Sequence, residues 1–182
     1  MDFVRTIANL EESPDLHAAR LLILIDAFVG DDTTNGVEGL TKLAKLDFLL
    51  RYPVLLERAL QAKGKSTKAL ELEEHERFSV ESEMVRYRFG PWDHRYREIL
   101  NILTAKGLVK ISVEGNTVVV LETHRGREQV KKLIENESFA TYFKRAKIIK
   151  SNFDLKATNL MKFIYKTFPE VLTLRSNASI TA

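Results

Sequence analysis

The sequence predicts a mainly α-helical protein with a small β-hairpin, in a winged-helix-like arrangement with additional N- and C-terminal helices. Several segments carry apolar residues at the i, i+3, i+4, i+7 spacing of an amphipathic helix. One of them ends at Gly107 and is followed by two short apolar runs, LVKISV and TVVVLE, with Glu114-Gly115-Asn116 between them. This pattern is typical of a hairpin. A helix that ends at a glycine and is followed directly by a hairpin is typical of the recognition helix and wing of a winged-helix domain.

Start and stop residues place the elements before the hairpin. Ser13 and Pro14 supply an N-cap and a first helical position, and Pro53 ends one helix and opens the next. The expected elements are a helix from Pro14 to near Gly30, a loop over 30–39, helices over 39–52 and 54–62, and a polar loop over 63–76. Residues 77–90 fit either a short helix or an extended segment.

The same signals place the later elements. The recognition helix is expected over His94–Lys106, the hairpin over about 108–121, and Thr123 caps the helix that follows. Further helices are expected over 124–136, 138–150 and 154–168, the last begun by Asp154. The expected organisation is a unit over 1–136, which contains the winged helix, and a helical extension over 137–182.

Composition indicates an ordinary globular protein. The chain has 182 residues, of which 45% are hydrophobic and 29% charged, and it contains no cysteine, so disulfides and thiolate chemistry are excluded. No apolar run reaches the roughly 18 residues of a membrane span. Acids at Asp2, Glu11 and Glu12 stand where a secretory signal carries basic residues. We therefore expect a cytoplasmic protein without a membrane partner.

Charge is distributed unevenly along the chain. Residues 1–40 carry two basic and eight acidic side chains, whereas residues 124–150 carry eight basic and three acidic ones. The basic segment suits sequence-independent contact with phosphates, although a solvated helix face explains it equally well. The candidate phosphate contacts are Arg125, Arg127, Lys131, Lys132, Lys144, Arg145, Lys147 and Lys150.

The helix over residues 39–53, GLTKLAKLDFLLRYP, has an acid and a base on its apolar face. Asp47 and Arg51 fall in the middle of the stripe that its leucines form. The opposite side is expected to carry Lys42, Lys45 and Leu49. A charged pair at i, i+4 on such a stripe needs partners. It is either an ion pair inside the fold or part of a surface that another protein covers.

Catalysis has little support in the sequence. The four histidines, His17, His75, His94 and His124, lie in separate segments without the spacing of metal ligands. The phosphate-binding patterns GxxxxGK[ST] and GxGxxG are absent. We expect no catalytic residue, no metal and no cofactor.

The outward positions of the recognition helix are mixed in charge. They include Arg95, Arg97, Glu98, Asn101 and Lys106. Arginine and asparagine suit base reading, whereas an acid near phosphates opposes it. Sequence-specific DNA binding therefore remains an alternative rather than the first expectation.

Two segments carry a resemblance to a known family. GLTKLAKLDFLLRYP over 39–53 and MVRYRFGPWDHRYREILNILTAKGLV over 84–109 resemble the middle component of bacterial ABC three-component systems, the small subunit of Lamassu-type anti-phage and anti-plasmid defence. The resemblance covers roughly residues 15–135. It implies a non-catalytic accessory subunit that works with an SMC-like or Rad50-like ATPase and a separate effector, often a nuclease.

The matched positions are expected to define the fold or a partner interface. The candidate interface residues are Lys42, Asp47, Arg51, Tyr52, Trp92 and Arg95. The alternative function is an autonomous winged-helix transcriptional regulator or an antitoxin-like protein, which would dimerise on a defined operator.

Overall fold

The computed structural model describes residues 13–31, 35–78, 84–87, 90–92, 95–170 and 179–180. The helices are α1 (Pro14–Val29), α2 (Leu40–Arg51), α3 (Pro53–Ala62), α4 (Tyr96–Ala105), α5 (His124–Ile134), α6 (Ala140–Phe153) and α7 (Ala157–Thr167). The strands are β1 (Gly36–Glu38), β2 (Met84–Tyr87), β3 (Gly90–Trp92), β4 (Val109–Glu114), β5 (Thr117–Glu122) and β6 (Ser179–Ile180). Short 3-10 helices cover Lys68–Leu70, Glu74–Phe78 and Glu137–Phe139.

The hairpin follows helix α4 as the sequence predicts. Strands β4 and β5 pair antiparallel around the turn that joins Glu114 to Thr117. Strand β1 adds to the free side of β5, so the order of this sheet is β1-β5-β4. The protein is thus mainly helical with a small three-stranded antiparallel sheet, and the fold class read from the sequence is confirmed.

Strand β1 corrects the expected loop over residues 30–39. Val37 pairs with Val120 of β5 and is buried. Three residues are too few to show the alternation of a strand, so the sequence carries no local signal for β1, which is recognised by its pairing with β5. A second sheet, in the order β3-β2-β6, forms from segments that the sequence left undecided or did not assign.

Helix α2 lies at the centre of the molecule. It packs against α1, β1, β3, α6 and α7, so it is covered on most sides. Lys45 and Leu49, expected to point outward, are instead buried, with 1% and 0% of their surfaces exposed. The helical wheel located the apolar stripe but not the later helices that cover the opposite side.

The C-terminal helices share the same core. α6 packs across α1 and α2, and α7 packs against α2 and α3. Thr123 caps α5 as predicted, since its hydroxyl accepts a hydrogen bond from the Gly126 amide at 3.0 Å. Asp154, the expected start of the last helix, instead ends α6, and α7 begins after Lys156.

None of the helices in the described part of the chain is both long and apolar enough to cross a lipid bilayer.

Candidate functional site

A cluster of buried polar side chains lies where α1, α2 and α4 meet. At its centre, Asp47 Oδ2 accepts from Arg51 Nε at 2.8 Å, and its Oδ1 accepts from Arg20 Nε at 3.2 Å. All three side chains are at most 2% exposed. The pair predicted from the i, i+4 spacing therefore lies inside the fold, and a second arginine completes it.

Tyr96 and His17 extend this cluster. The Tyr96 hydroxyl donates to Asp47 Oδ2 at 2.6 Å, and the Tyr96 ring lies 5.9 Å from the Arg51 guanidinium carbon. On the other side, His17 Nδ1 accepts from Arg20 Nη2 at 2.6 Å. We call Asp47, Arg20, Arg51, Tyr96 and His17 the Asp47 cluster.

The cluster sets the protonation of its members. Burial opposes the charge on Asp47, but Arg51, Arg20 and the Tyr96 hydrogen bond outweigh burial and hold the pKa of this carboxyl below its usual value. Burial, reinforced by Arg20, lowers the pKa of His17 to about 3. The carboxylate is therefore charged and the imidazole neutral at neutral pH, so His17 Nδ1 acts as an acceptor.

The structure places the candidate interface residues in different environments. Asp47, Arg51 and Tyr52 are buried, so they are internal rather than surface contacts for a partner. Lys42 is mostly covered and donates to Asp154 at 3.0 Å. Arg95 is partly exposed beside the cluster. The backbone of Trp92 lies in β3, and its side chain falls outside the described part of the structure, as do Asp93 and His94.

Three of the candidate phosphate contacts are structural instead. Arg145 is buried and bonds Glu76 at 2.7 Å, because α6 packs against the core on that side. Arg127 holds the end of α1 through the carbonyls of Gly30 and Asp31. Lys150 bonds the Phe28 carbonyl and Asp154. Arg145 is enclosed and cannot meet phosphates, whereas Arg127 and Lys150 are 23% and 38% exposed and bond groups within the fold.

The other five candidates lie at or near the surface. Lys131 pairs with Glu128 at 2.7 Å, and Lys144 pairs with Glu71 at 2.5 Å. Such pairs in water contribute little and break readily. The remaining exposed cations are Arg125, Lys132 and Lys147. The basic stretch of the sequence therefore forms a smaller positive surface than its composition suggests.

An acidic pair inside the fold was not anticipated from the sequence. Glu122, at the end of β5, is buried with its Oε2 3.4 Å from Arg127 Nε, and the partly buried Asp26 of α1 is near enough to act on its charge. Burial, and then the charge of Asp26, raise the pKa of Glu122 to about 7, and burial also raises that of Asp26. Two carboxyl groups this close oppose each other's charge, so folding favours the protonated form of Glu122. The sequence did contain one signal of this pair: Asp26 interrupts the apolar run LLILIDAFV.

Arg20 and His17 were missed for a similar reason. Both lie on α1 three residues apart, on a helix whose apolar residues surround them. Their burial is explained by the tertiary structure: Arg20 bonds Asp47 of α2, and His17 bonds Arg20. Within the described residues, no group of three or more histidines and acids is arranged to hold a metal ion.

The fold and the site together define a mainly helical protein with a small antiparallel sheet, held together by a buried ion cluster. No family model, curated protein or solved structure matches this chain.

Proposed function

We propose that this protein is a non-catalytic accessory subunit of an SMC-like ATPase complex, which couples DNA sensing by the ATPase to a separate effector nuclease in anti-phage or anti-plasmid defence. The proposal begins from the resemblance carried by residues 39–53 and 84–109. ATP hydrolysis and DNA cleavage are assigned to the partners.

One observation supports treating the two segments as a unit. Asp47 and Arg51 come from the first segment and Tyr96 from the second, and all three meet in the Asp47 cluster. Residues that maintain one buried network constrain each other, since removing one partner leaves a charge or a hydroxyl unsatisfied. The shared network is a physical reason for the two motifs to occur in the same chain.

Co-expression with the genomic neighbours tests the proposal. The chain is affinity-tagged, the lysate is treated with nuclease, and the bound proteins are sized and identified. We expect a large coiled-coil ATPase to co-purify in a fixed ratio. A Tyr96→Phe variant, which weakens the Asp47 cluster without removing a charge, should lower the yield of complex only as far as it lowers the yield of folded chain.

Recovery of this chain alone, with the neighbours present and folded, contradicts the proposal. Protection of cells against phage or plasmid provides the second readout. Deleting the gene for this chain should abolish protection while leaving the amount of ATPase unchanged.

The exposed cations limit how much this chain can contribute to DNA binding. Reversing Lys132 and Lys147 to glutamate removes two exposed positive charges. If both lysines neutralise phosphates, the slope of log affinity against log salt should fall by roughly two, since each neutralised phosphate adds about 0.9 to that slope. An unchanged slope means that this surface does not touch phosphate.

An autonomous winged-helix regulator is the second candidate, favoured by the exposed face of α4. Arg97 and Asn101 are exposed on that helix, which directly precedes the hairpin, and both residue types read base edges. Glu98 is exposed between them. Selection of binding sites from random DNA distinguishes the candidates: a defined palindromic operator, lost in Arg97→Ala, supports the regulator, whereas weak binding without preference supports the accessory subunit.

A further inference from the structure

An apolar groove runs along the surface beside α1 and α5. Its volume is about 590 Å³, and it is separate from the Asp47 cluster. The apolar side chains that line it are Leu16, Ala18, Ala19, Leu22, Leu108, Leu133 and Phe139. Leu16, Leu133 and Phe139 are only partly buried, so the groove keeps apolar surface in contact with water.

Two packed helices, α1 and α5, form most of the walls of the groove. Arg125, Gln129 and Leu133 form one stripe of α5 at intervals of four residues. At 1.5 Å per residue this stripe is about 12 Å long, or roughly two helical turns. A third helix packs between two helices when small residues let it approach, and α1 supplies Ala18 and Ala19 there.

The rim of the groove carries an excess of positive charge. Lys106 and Arg125 are cations, and Asp15 is the acid beside them. The Lys106 ammonium lies 3.8 Å from Asp15 Oδ1, with both side chains more than half exposed, so this pair is weak. Among the described residues, Arg125 has no hydrogen bond or ion pair. The rim therefore complements an acidic partner.

We propose that this groove binds an amphipathic helix of the ATPase subunit, one that places acidic residues beside its apolar ridge. The proposal rests on the proposed function, because that function supplies the partner. The apolar ridge would cover Leu133 and Phe139, and its acids would pair with Arg125 and Lys106. This is the helix-in-groove mode of recognition.

A pair of double variants tests the rim. Lys106→Glu with Arg125→Glu reverses both rim cations, and Lys110→Glu with Lys162→Glu reverses two exposed cations that do not line the groove. Both doubles change the net charge equally. At low salt, we expect the first to weaken ATPase binding about tenfold or more and the second to leave it within about twofold, because only the first repels the acids of the helix.

A photo-crosslinking amino acid identifies the occupant. Benzoylphenylalanine at position 133 should crosslink to a helical peptide of the co-expressed ATPase, whereas the same group at 134 should not. Ile134 is the matched control because it is 55% exposed on the same helix and does not line the groove. A crosslink from position 133 to residues 1–12 of the same chain, or to a second copy, overturns the proposal.

The outcomes separate this proposal from the function on which it rests. If the unmodified chain does not retain the ATPase, both are wrong. If it does, and the two double variants bind equally well, the accessory role stands and the groove is not its docking site. Melting temperatures of all variants, matched to that of the unmodified chain, ensure that folding is not the cause.

Discussion

The Tyr96 hydroxyl donates a 2.6 Å hydrogen bond to Asp47 Oδ2, and so joins the first residue of α4 to the middle of α2. Arg51 donates to the same oxygen at 2.8 Å. One carboxylate therefore positions α4 against the central helix. The β4–β5 hairpin follows α4 directly, so its placement depends on this contact too.

Removing the Asp47 carboxylate should destabilise the protein strongly. Asp47→Ala leaves Arg20 and Arg51 buried without their shared counter-charge, and breaking such a network costs about 3–5 kcal/mol. Tyr96→Phe removes one hydrogen bond to a charged group and should cost about 1.5–3 kcal/mol. Urea unfolding followed by circular dichroism measures both differences.

Asp154→Ala is the matched control for these variants. Asp154 also accepts from two cations, Lys42 and Lys150, but it is 39% exposed. We expect a loss of less than about 1 kcal/mol, since water screens this pair. Equal effects of Asp47→Ala and Asp154→Ala would mean that the Asp47 cluster is hydrated and not a buried network.

Lys45 should be a source of instability at neutral pH. Its ammonium is buried and donates to the Thr41 carbonyl of its own helix at 3.0 Å, and burial lowers the pKa of Lys45 to about 8. Lys45→Met keeps the apolar stem and removes the charge, so we expect a gain of about 1–3 kcal/mol at pH 7. Lys42→Met, near the surface, should change stability by less than about 1 kcal/mol.

The pH dependence provides an independent check on Lys45. The unfolded chain binds this proton more tightly than the folded one, because the pKa of Lys45 falls from 10.5 to about 8 on folding. The contribution of Lys45 to stability should therefore rise between pH 8 and 10.5, and Lys45→Met should not show that rise. The same slope in both proteins would show that Lys45 is solvated.

The Asp26 and Glu122 pair should produce the opposite dependence at lower pH. The pKa of Glu122 rises from 4.5 to about 7 on folding, so the folded chain binds this proton more tightly. Its contribution to stability is largest below pH 4.5 and is lost as the pH rises to about 7. Glu122→Gln places an uncharged side chain there at every pH, and at pH 8 it should be more stable than the unmodified chain by about 1–2 kcal/mol.

The exposed residue Glu114 supplies the control for this measurement. Glu114→Gln makes the same chemical change at the hairpin turn, where the side chain is exposed, and should leave the pH profile unaltered. A profile of Glu122→Gln that parallels the unmodified one between pH 4.5 and 7 would show that folding does not raise the pKa of Glu122.

The sequence predicted the elements whose boundaries are determined by residues close by in the chain. Pro14, Pro53, Gly107 and Thr123 lie at helix boundaries as expected, because capping and proline geometry act within one turn. The hairpin was also predictable, since its register follows from a short turn.

Features that depend on distant partners were not predictable in this way. Lys45 is buried because α6 and α7, about a hundred residues later, help to cover α2. Arg145 was assigned to a phosphate surface, but Glu76 of a polar segment pairs with it inside the fold. The i, i+4 rule found Asp47 with Arg51, while Arg20 and Tyr96 required the tertiary arrangement.

Gly126 should resist substitution although it lies inside a helix. An alanine there would normally stabilise α5 by about 0.5–1 kcal/mol. A Cβ at this position, however, would lie 2.1 Å from the Leu108 carbonyl oxygen and 3.0 Å from Glu122 Cγ. The helix would have to move away from the hairpin, and such overpacking typically costs about 1–3 kcal/mol.

This cost is measured by comparing the thermal unfolding of the Gly126→Ala variant with that of a separate Arg125→Ala variant. Arg125 is the adjacent exposed residue, so its loss should leave the melting temperature nearly unchanged, whereas Gly126→Ala should lower it clearly. Because α5 also forms one wall of the groove, the shift should also change the groove in chains that remain folded. A melting temperature equal to or above that of the unmodified chain would mean that α5 does not approach Leu108 this closely, and the groove geometry would fail with it.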